Sequence, residues 1–177
     1  MHKRLRMIGI ASLLAVVSFA QAQQGPGLGI PATSEDVAAW DLSISPNGEG
    51  LPPGSGDARI GAEIYTVQCM TCHGPEGAGR LNAPLAGGHG TLTSDSPVRT
   101  IGSYWPYATT VFDYIRRAMP FTQPQSLSDD DVYALTAYLL YLNGIIDADD
   151  IINAETLPDV EMPNRDGFIV AYPSLPD

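Results

Sequence analysis

The chain is poor in the residues that build metal clusters and disulfide frameworks, with two cysteines and three histidines among 177 residues. Two cysteines rule out a disulfide-dense scaffold. Basic residues are also scarce, nine against 20 acids, and Lys3 is the only lysine. That imbalance excludes a nucleic-acid binder and a protein held to anionic lipid by a basic patch. No apolar run approaches the roughly 20 residues that a membrane-spanning helix needs. The longest, Ile8 to Phe19, follows the basic start His2, Lys3, Arg4 and Arg6 and precedes Ala20-Gln21-Ala22. A basic start, a short apolar stretch and a small-x-small site read as a secretory signal peptide, residues 1–22. An uncleaved membrane anchor is the competing reading, but the run is too short and no stop-transfer pattern follows. Cleavage after Ala22 leaves 155 residues with six arginines, no lysine and a formal charge of −14. Such a field steers a basic protein partner or simply keeps an exported protein in solution; net charge speaks to both.

Both cysteines lie in one pentad, Cys69-Met70-Thr71-Cys72-His73. C-x-x-C-H is the attachment pattern of a c-type haem. The thiols add to the two vinyl groups along one porphyrin edge, and two intervening residues bring both sulfurs to that edge. The imidazole of His73 then turns under the ring as the proximal iron ligand. Competing readings fail on residue supply. A zinc site wants four ligands, and outside the pentad only His2 and His89 remain among histidines and cysteines. A thioredoxin-type dithiol needs a βαβ setting, and no alternating strand pattern leads into Cys69. A disulfide between Cys69 and Cys72 leaves His73 without a role. The expectation is one covalent haem c (heme c) on Cys69 and Cys72, its iron held by His73. Covalent attachment requires export, so pentad and leader agree on a bacterial periplasm.

Proline and glycine divide the rest. Residues 23–56 run from Gln23-Gln24-Gly25-Pro26 to Leu51-Pro52-Pro53-Gly54-Ser55-Gly56, a composition that excludes a long helix or a central strand. Val37, Trp40, Leu42 and Ile44 make this stretch too apolar for a flexible linker, so it reads as an extended arm lying on the core. Residues 145–177 form a second arm, acidic and proline-punctuated, with Ile151, Ile152, Phe168 and Ile169 as expected anchors.

Between the arms, residues 57–144 read as an all-α haem domain. Its first helix, 57–68, carries Ile60, Ile64 and Val67 at i, i+4, i+7. Gly61 is placed on the same side; a glycine inside a helix costs about 1 kcal/mol against alanine, so another helix is expected to approach closely there. The terminal helix opens on Ser128 as N-cap, with Asp131 closing the capping box and Leu127 stapling to Val132. Val132, Leu135, Leu139 and Leu142 continue its apolar face, Tyr133, Tyr138 and Tyr141 are packing residues, and Asn143-Gly144 ends it. A third helix, 109–118, turns Val111, Phe112, Ile115 and Ala118 inward and sets Arg116 and Arg117 at its negative end.

Pro120 disfavours helical geometry at Met119, so Met119 sits just off a helix end, held between helix and proline. Its thioether is the expected distal iron ligand, which raises the reduction potential relative to a second imidazole and fills the sixth site. His89, in Gly87-Gly88-His89-Gly90, is the competitor; Met162 is a remote one. Met70 lies within the attachment loop and Met7 in the leader. A Pro84 carbonyl accepting from His73 Nδ1–H would orient the ring and raise its basicity. Arg99, Trp105 and Tyr107 are candidate haem-propionate partners, Trp105 serving equally well as a core aromatic.

The order helix, Cys-x-x-Cys-His, proline loop, helix, Met-Pro, terminal helix resembles a class I cytochrome c. A narrower resemblance lies in Gly102-Ser103-Tyr104-Trp105-Pro106-Tyr107, in Phe112-Asp113-Tyr114-Ile115-Arg116-Arg117-Ala118-Met119-Pro120 and in Met162-Pro163-Asn164-Arg165. With Ala39-Trp40-Asp41 and Leu51 to Gly56, these segments resemble the monohaem cytochrome subunits of bacterial sulfite dehydrogenases and Sox-type sulfur dehydrogenases. The resemblance spans roughly Ile30 to Phe168. It implies electrons taken from a molybdopterin-containing catalytic subunit and handed to a downstream cytochrome or oxidase. The expected function is therefore a periplasmic monohaem carrier, not catalytic alone, that docks through its haem edge and at least one arm. Two alternatives stay open: a stand-alone shuttle to a terminal oxidase, and a haem enzyme or sensor with an open iron site.

Overall fold

Six α-helices and one two-stranded ladder are found in the computed structural model, which describes residues 28–169. The leader, its cleavage site, residues 23–27 of the first arm and 170–177 of the second lie outside the described residues. The order is α1 (Ser34–Trp40), β1 (Ser55–Gly56), α2 (Ala58–Gln68), α3 (Met70–His73), α4 (Ile101–Tyr104), α5 (Ala108–Ala118), α6 (Asp129–Leu142) and β2 (Ile152–Asn153). Short 3-10 turns occupy Pro75–Gly77 and Leu157–Asp159. The chain divides into two units after Val37, within α1. Thr33 opens α1 with a reciprocal cap: its Oγ1 accepts the Asp36 N–H at 3.1 Å, and Asp36 Oδ2 accepts the Thr33 N–H at 2.9 Å. The first arm is therefore not extended throughout; a composition that forbids a long helix still allows a capped one of seven residues.

The second unit is built on α6. Ser128 and Asp131 form the expected capping box, and Asn143 ends the helix with Gly144 at φ +66°. Val132 to Ala137, Leu139 and Leu140 are all buried, as befits a helix enclosed by neighbours on most sides. From α5, Val111, Phe112 and Ile115 pack inward, with the Phe112 ring centred 4.4 Å from that of Tyr133. Arg116 Nε meets Asp129 Oδ1 at 3.1 Å, tying the end of α5 to the start of α6. Of the three packing tyrosines, Tyr133 is buried and Tyr138 half-buried, but Tyr141 is 44% exposed.

Asp57 caps α2, accepting the N–H groups of Arg59 and Ile60. A Cβ on Gly61 would collide with the Ala134 carbonyl and meet Tyr138 Cβ at 2.7 Å, so the close helix approach expected there is present. Of the apolar stripe, however, only Ile64 packs against the core. Ile60 and Val67 are 53% and 77% exposed, and Ala58, Gly61 and Tyr65 are the residues covered. The reason is steric: small residues at 58 and 61 admit the α6 backbone, and close contact along a whole helix gains more than two bulky side chains would.

The arms join each other. β1 pairs antiparallel with β2, Ser55 opposite Asn153 and Gly56 opposite Ile152. The first arm is tied to the helices by Tyr133 Oη donating to the Pro52 carbonyl at 2.8 Å and by Ile44 and Leu51 packing on the core. Trp40 and Val37 are not anchors, being 87% and 51% exposed. In the second arm Ile152, Leu157 and Met162 are buried, whereas Ile151 and Ile169 are exposed and Phe168 half-exposed. Strand alternation puts Ile152 inward and Ile151 outward.

Candidate functional site

Cys69, Cys72 and His73 share one helical turn. Cys69 closes α2 by donating its N–H to the Tyr65 carbonyl at 2.9 Å, and its own carbonyl accepts the N–H groups of Cys72 and His73 at 3.1 and 3.0 Å. Gly74, at φ +75°, then reverses the chain where a Cβ would press on the Gly79 carbonyl. Tyr65 Oη donates to the Gly74 carbonyl at 2.8 Å, so the buried face of α2 holds the turn from beneath. Cys69 and Cys72 form no disulfide with each other. Cys69 is half-buried, and burial together with the neighbouring Cys72 pushes its thiol up to about 11. Cys72 is exposed.

His73 carries a buried Nδ1 with no hydrogen-bond partner. Such a group costs about 1–3 kcal/mol when left unsatisfied, so this imidazole fits a site completed by something outside the polypeptide. The Pro84 carbonyl is not its acceptor, contrary to expectation. The loop is held by backbone bonds elsewhere: Leu81 and Asn82 N–H groups donate to the Cys72 carbonyl at 3.1 and 3.0 Å, and Leu85 N–H donates to that of Gly77 at 2.8 Å. Those bonds fix the peptides on both sides of Pro84 without involving His73.

Met119 lies where its sequence setting puts it, directly after α5, with extended backbone (φ −120°, ψ 146°) and its N–H on the Ile115 carbonyl. Cys69, Leu85, Trp105 and Met119 all pack against the core while keeping part of their surface uncovered. Trp105 stands edge-on to Tyr114, 5.7 Å between ring centres. Arg99 lies over Tyr104 and Arg165 over Tyr107. His89 is an exposed loop residue.

Two positioning residues escaped sequence reasoning. Asn143, buried at the end of α6, donates from Nδ2 to the Leu85 and Leu139 carbonyls and accepts the Gly87 N–H at Oδ1. Gly102 leaves the room it needs, since a Cβ there would strike the Asn143 side chain. Thr100 caps α4, and its Oγ1 donates to the Gly87 carbonyl at 2.6 Å. The Thr100-x-x-Ser103 spacing was the available signal; nothing in the sequence marks Asn143 as more than a helix stop.

A family model described as cytochrome c oxidase, cbb3-type, subunit III, matches residues 56–139. A chain in the crystal structure of the sulfane dehydrogenase SoxCD from Paracoccus pantotrophus is 48% identical, with a TM-score of 0.77 over 81% of this chain and 71% of that chain. No curated protein sequence matches. Helices carrying Cys-x-x-Cys-His on one turn and matching these relatives define a class I cytochrome c, an electron-transfer protein whose cofactor is haem c. More narrowly, the chain belongs to the family of the matched SoxCD chain.

Proposed function

We propose that this cytochrome is the periplasmic electron-transfer subunit of a molybdenum-containing sulfite or sulfur dehydrogenase, passing single electrons to a downstream cytochrome. What supports this reading most is the likeness to a sulfane dehydrogenase chain, 48% identical over 81% of the sequence, more than the haem domain alone can supply. The signal peptide exports the chain and is removed after Ala22. Bound haem supplies one-electron chemistry between ferrous and ferric iron. Cys69 and Cys72 would hold one haem covalently, and His73 and Met119 would supply an imidazole and a thioether to its iron. With both of these donors supplied by the chain, the bound haem would carry electrons and take no substrate. Arg99, Trp105 and Tyr107 serve the propionates.

The test is direct. The exported protein should have the mass of residues 23–177 plus one haem, and acid–organic extraction should leave that haem on the polypeptide. Mixed with a sulfite-oxidising molybdoenzyme, it should be reduced rapidly at low salt. Haem released on extraction would remove the covalent assignment, and failure of reduction at every salt concentration would favour the stand-alone shuttle.

A further inference from the structure

Among the described residues, the three most exposed aromatic side chains are Trp40, Phe121 and Tyr114, at 87%, 83% and 50%. They come from the first arm, from the turn after Met119 and from α5. Thr109 Oγ1, at the start of α5, donates to the Pro46 carbonyl at 3.3 Å, so the arm crosses the first turn of that helix. Ile44 then packs on the core, and Asp41 comes within reach of Arg117 in the last turn. Ser43 first, through its N–H, and the Arg117 charge more weakly hold the Asp41 carboxyl below its ordinary value. The first arm therefore runs antiparallel to α5. The lengths agree: α5 rises about 12 Å from Thr109 to Arg117, and the chain from Pro46 back to Asp41 can span up to about 18 Å. Trp40 directly precedes Asp41, and its carbonyl accepts the Leu42 N–H at 3.1 Å, so the indole is carried to the same end of the helix. Tyr114 lies one turn before Arg117 on the same face of α5, with its ring edge-on to Trp105. Phe121 follows Met119 closely, in a turn closed by the Gln123 N–H on the Pro120 carbonyl at 2.8 Å.

Large aromatic surfaces are unfavourable to leave in water, and a group of them marks a surface that another molecule covers. Trp and Tyr are also the side chains that most often anchor protein interfaces. Charge narrows the choice of partner. Arg117 is paired with Asp113, whereas Asp41 enters no ion pair among the described residues, so the patch is left negative. No basic residue occurs between Leu28 and Ala58, and the first arm offers Asp41 no cation of its own. Resting on the electron-transfer reading, we infer that Trp40, Tyr114 and Phe121 form the surface on which the electron-donating catalytic subunit docks. That subunit would present an apolar face with a lysine or arginine opposite Asp41. A donor seated there approaches from the Met119 side, and the contact is made by the first arm. Trp40 thereby acquires a role that packing within the chain does not give it.

The experiment uses the full-length, haem-loaded protein and a sulfite-oxidising molybdoenzyme. Trp40→Ala, Phe121→Ala and Asp41→Asn are compared with Ile60→Ala, which removes an exposed apolar side chain from the start of α2. Stopped-flow reduction and binding to the immobilised enzyme give association and dissociation rates, with covalent haem content checked by mass. Trp40→Ala and Phe121→Ala should each weaken binding at least about tenfold, mainly through faster dissociation, with full haem content kept. Asp41→Asn should instead slow association and flatten its dependence on salt. Ile60→Ala should change neither rate. Binding that survives both aromatic substitutions overturns the inference, and so does an Ile60→Ala protein weakened as much as they are. A loss confined to self-association, or to electron delivery to a downstream cytochrome, also overturns it, because a second copy or the acceptor would then occupy the surface. If the unaltered protein is neither bound nor reduced by the molybdoenzyme, the functional reading fails and this inference with it; unaltered protein that is bound, beside aromatic variants that bind equally well, sinks the inference alone.

Discussion

Met119 owes its position to the residue that follows it. Proline at 120 stops the helix, and the side chain is left packed on the core with part of its surface open. Met119→Ala should therefore abolish the weak red-end band of sulfur-ligated ferric haem, lower the potential and let carbon monoxide bind the reduced protein. His89→Ala, altering an exposed loop residue, should do none of this; the reverse pattern would move the ligand to His89. Two buried phenols give a second residue-scale test. Burial pushes Tyr65 and Tyr133 up to about 12, and their hydroxyls donate to the Gly74 and Pro52 carbonyls. With the folded-state value raised above the ordinary value near 10, the folded chain holds more protons than the unfolded one between these limits. Their stabilisation is thus complete below about pH 10 and lost as the pH climbs toward 12. Denaturant midpoints measured across that range should fall, and the fall should be shallower in Tyr65→Phe. An unchanged slope would place the alkaline sensitivity elsewhere. The pentad and the Met-Pro step were legible because their meaning is carried by adjacent residues. Tyr65, Asn143 and the unpartnered His73 Nδ1 were not, because their roles depend on carbonyls and loops that only folding brings near.

At the scale of elements, the caps and stops of α5 and α6 could be read within one or two residues, since Ser128, Asp131, Asn143 and Pro120 act locally. The facing of α2 could not. Ile60 and Val67 point outward, and Ala58, Gly61 and Tyr65 mark the contact. Hydrophobic periodicity weighs a helix face by transfer free energy, whereas this crossing was decided by how near two backbones could come. Gly61→Ala tests that account. The added methyl meets the Ala134 carbonyl, backbone that has little freedom to move, so overpacking should cost about 1–3 kcal/mol, seen as a lowered denaturation midpoint at unchanged m-value. Ser128→Ala, losing only the cap on the Asp131 N–H, should cost about 1 kcal/mol. A Gly61→Ala protein as stable as the original would mean that the crossing can open without penalty.

Across the whole molecule, the two arms are less separate than their composition implies. They pair as β1 and β2, and the second buries Ile152, Leu157 and Met162 in the same core as α6. Removing residues 145–177 would uncover that core, so the cut is a stability experiment before it is a docking one. Docking is better examined through charge, which acts at a distance and leaves the fold intact. Residues 23–177 carry a formal charge of −14 before any propionate is added, and a basic face on an electron donor would be drawn to it. Screening shortens such a field to about 10 Å at 0.1 M salt and to about 3 Å at 1 M. Steered encounters gain roughly 10- to 1000-fold in rate. The second-order rate constant for reduction by a molybdoenzyme subunit should accordingly fall at least about tenfold between low and high salt, while dissociation of the complex, governed by short-range contacts, changes little. Stopped-flow reduction at a series of salt concentrations measures both. A rate that holds steady with salt would show that the donor meets an uncharged face, and one that climbs that it meets a like-charged face; in either case the acidity of the chain would not steer the donor.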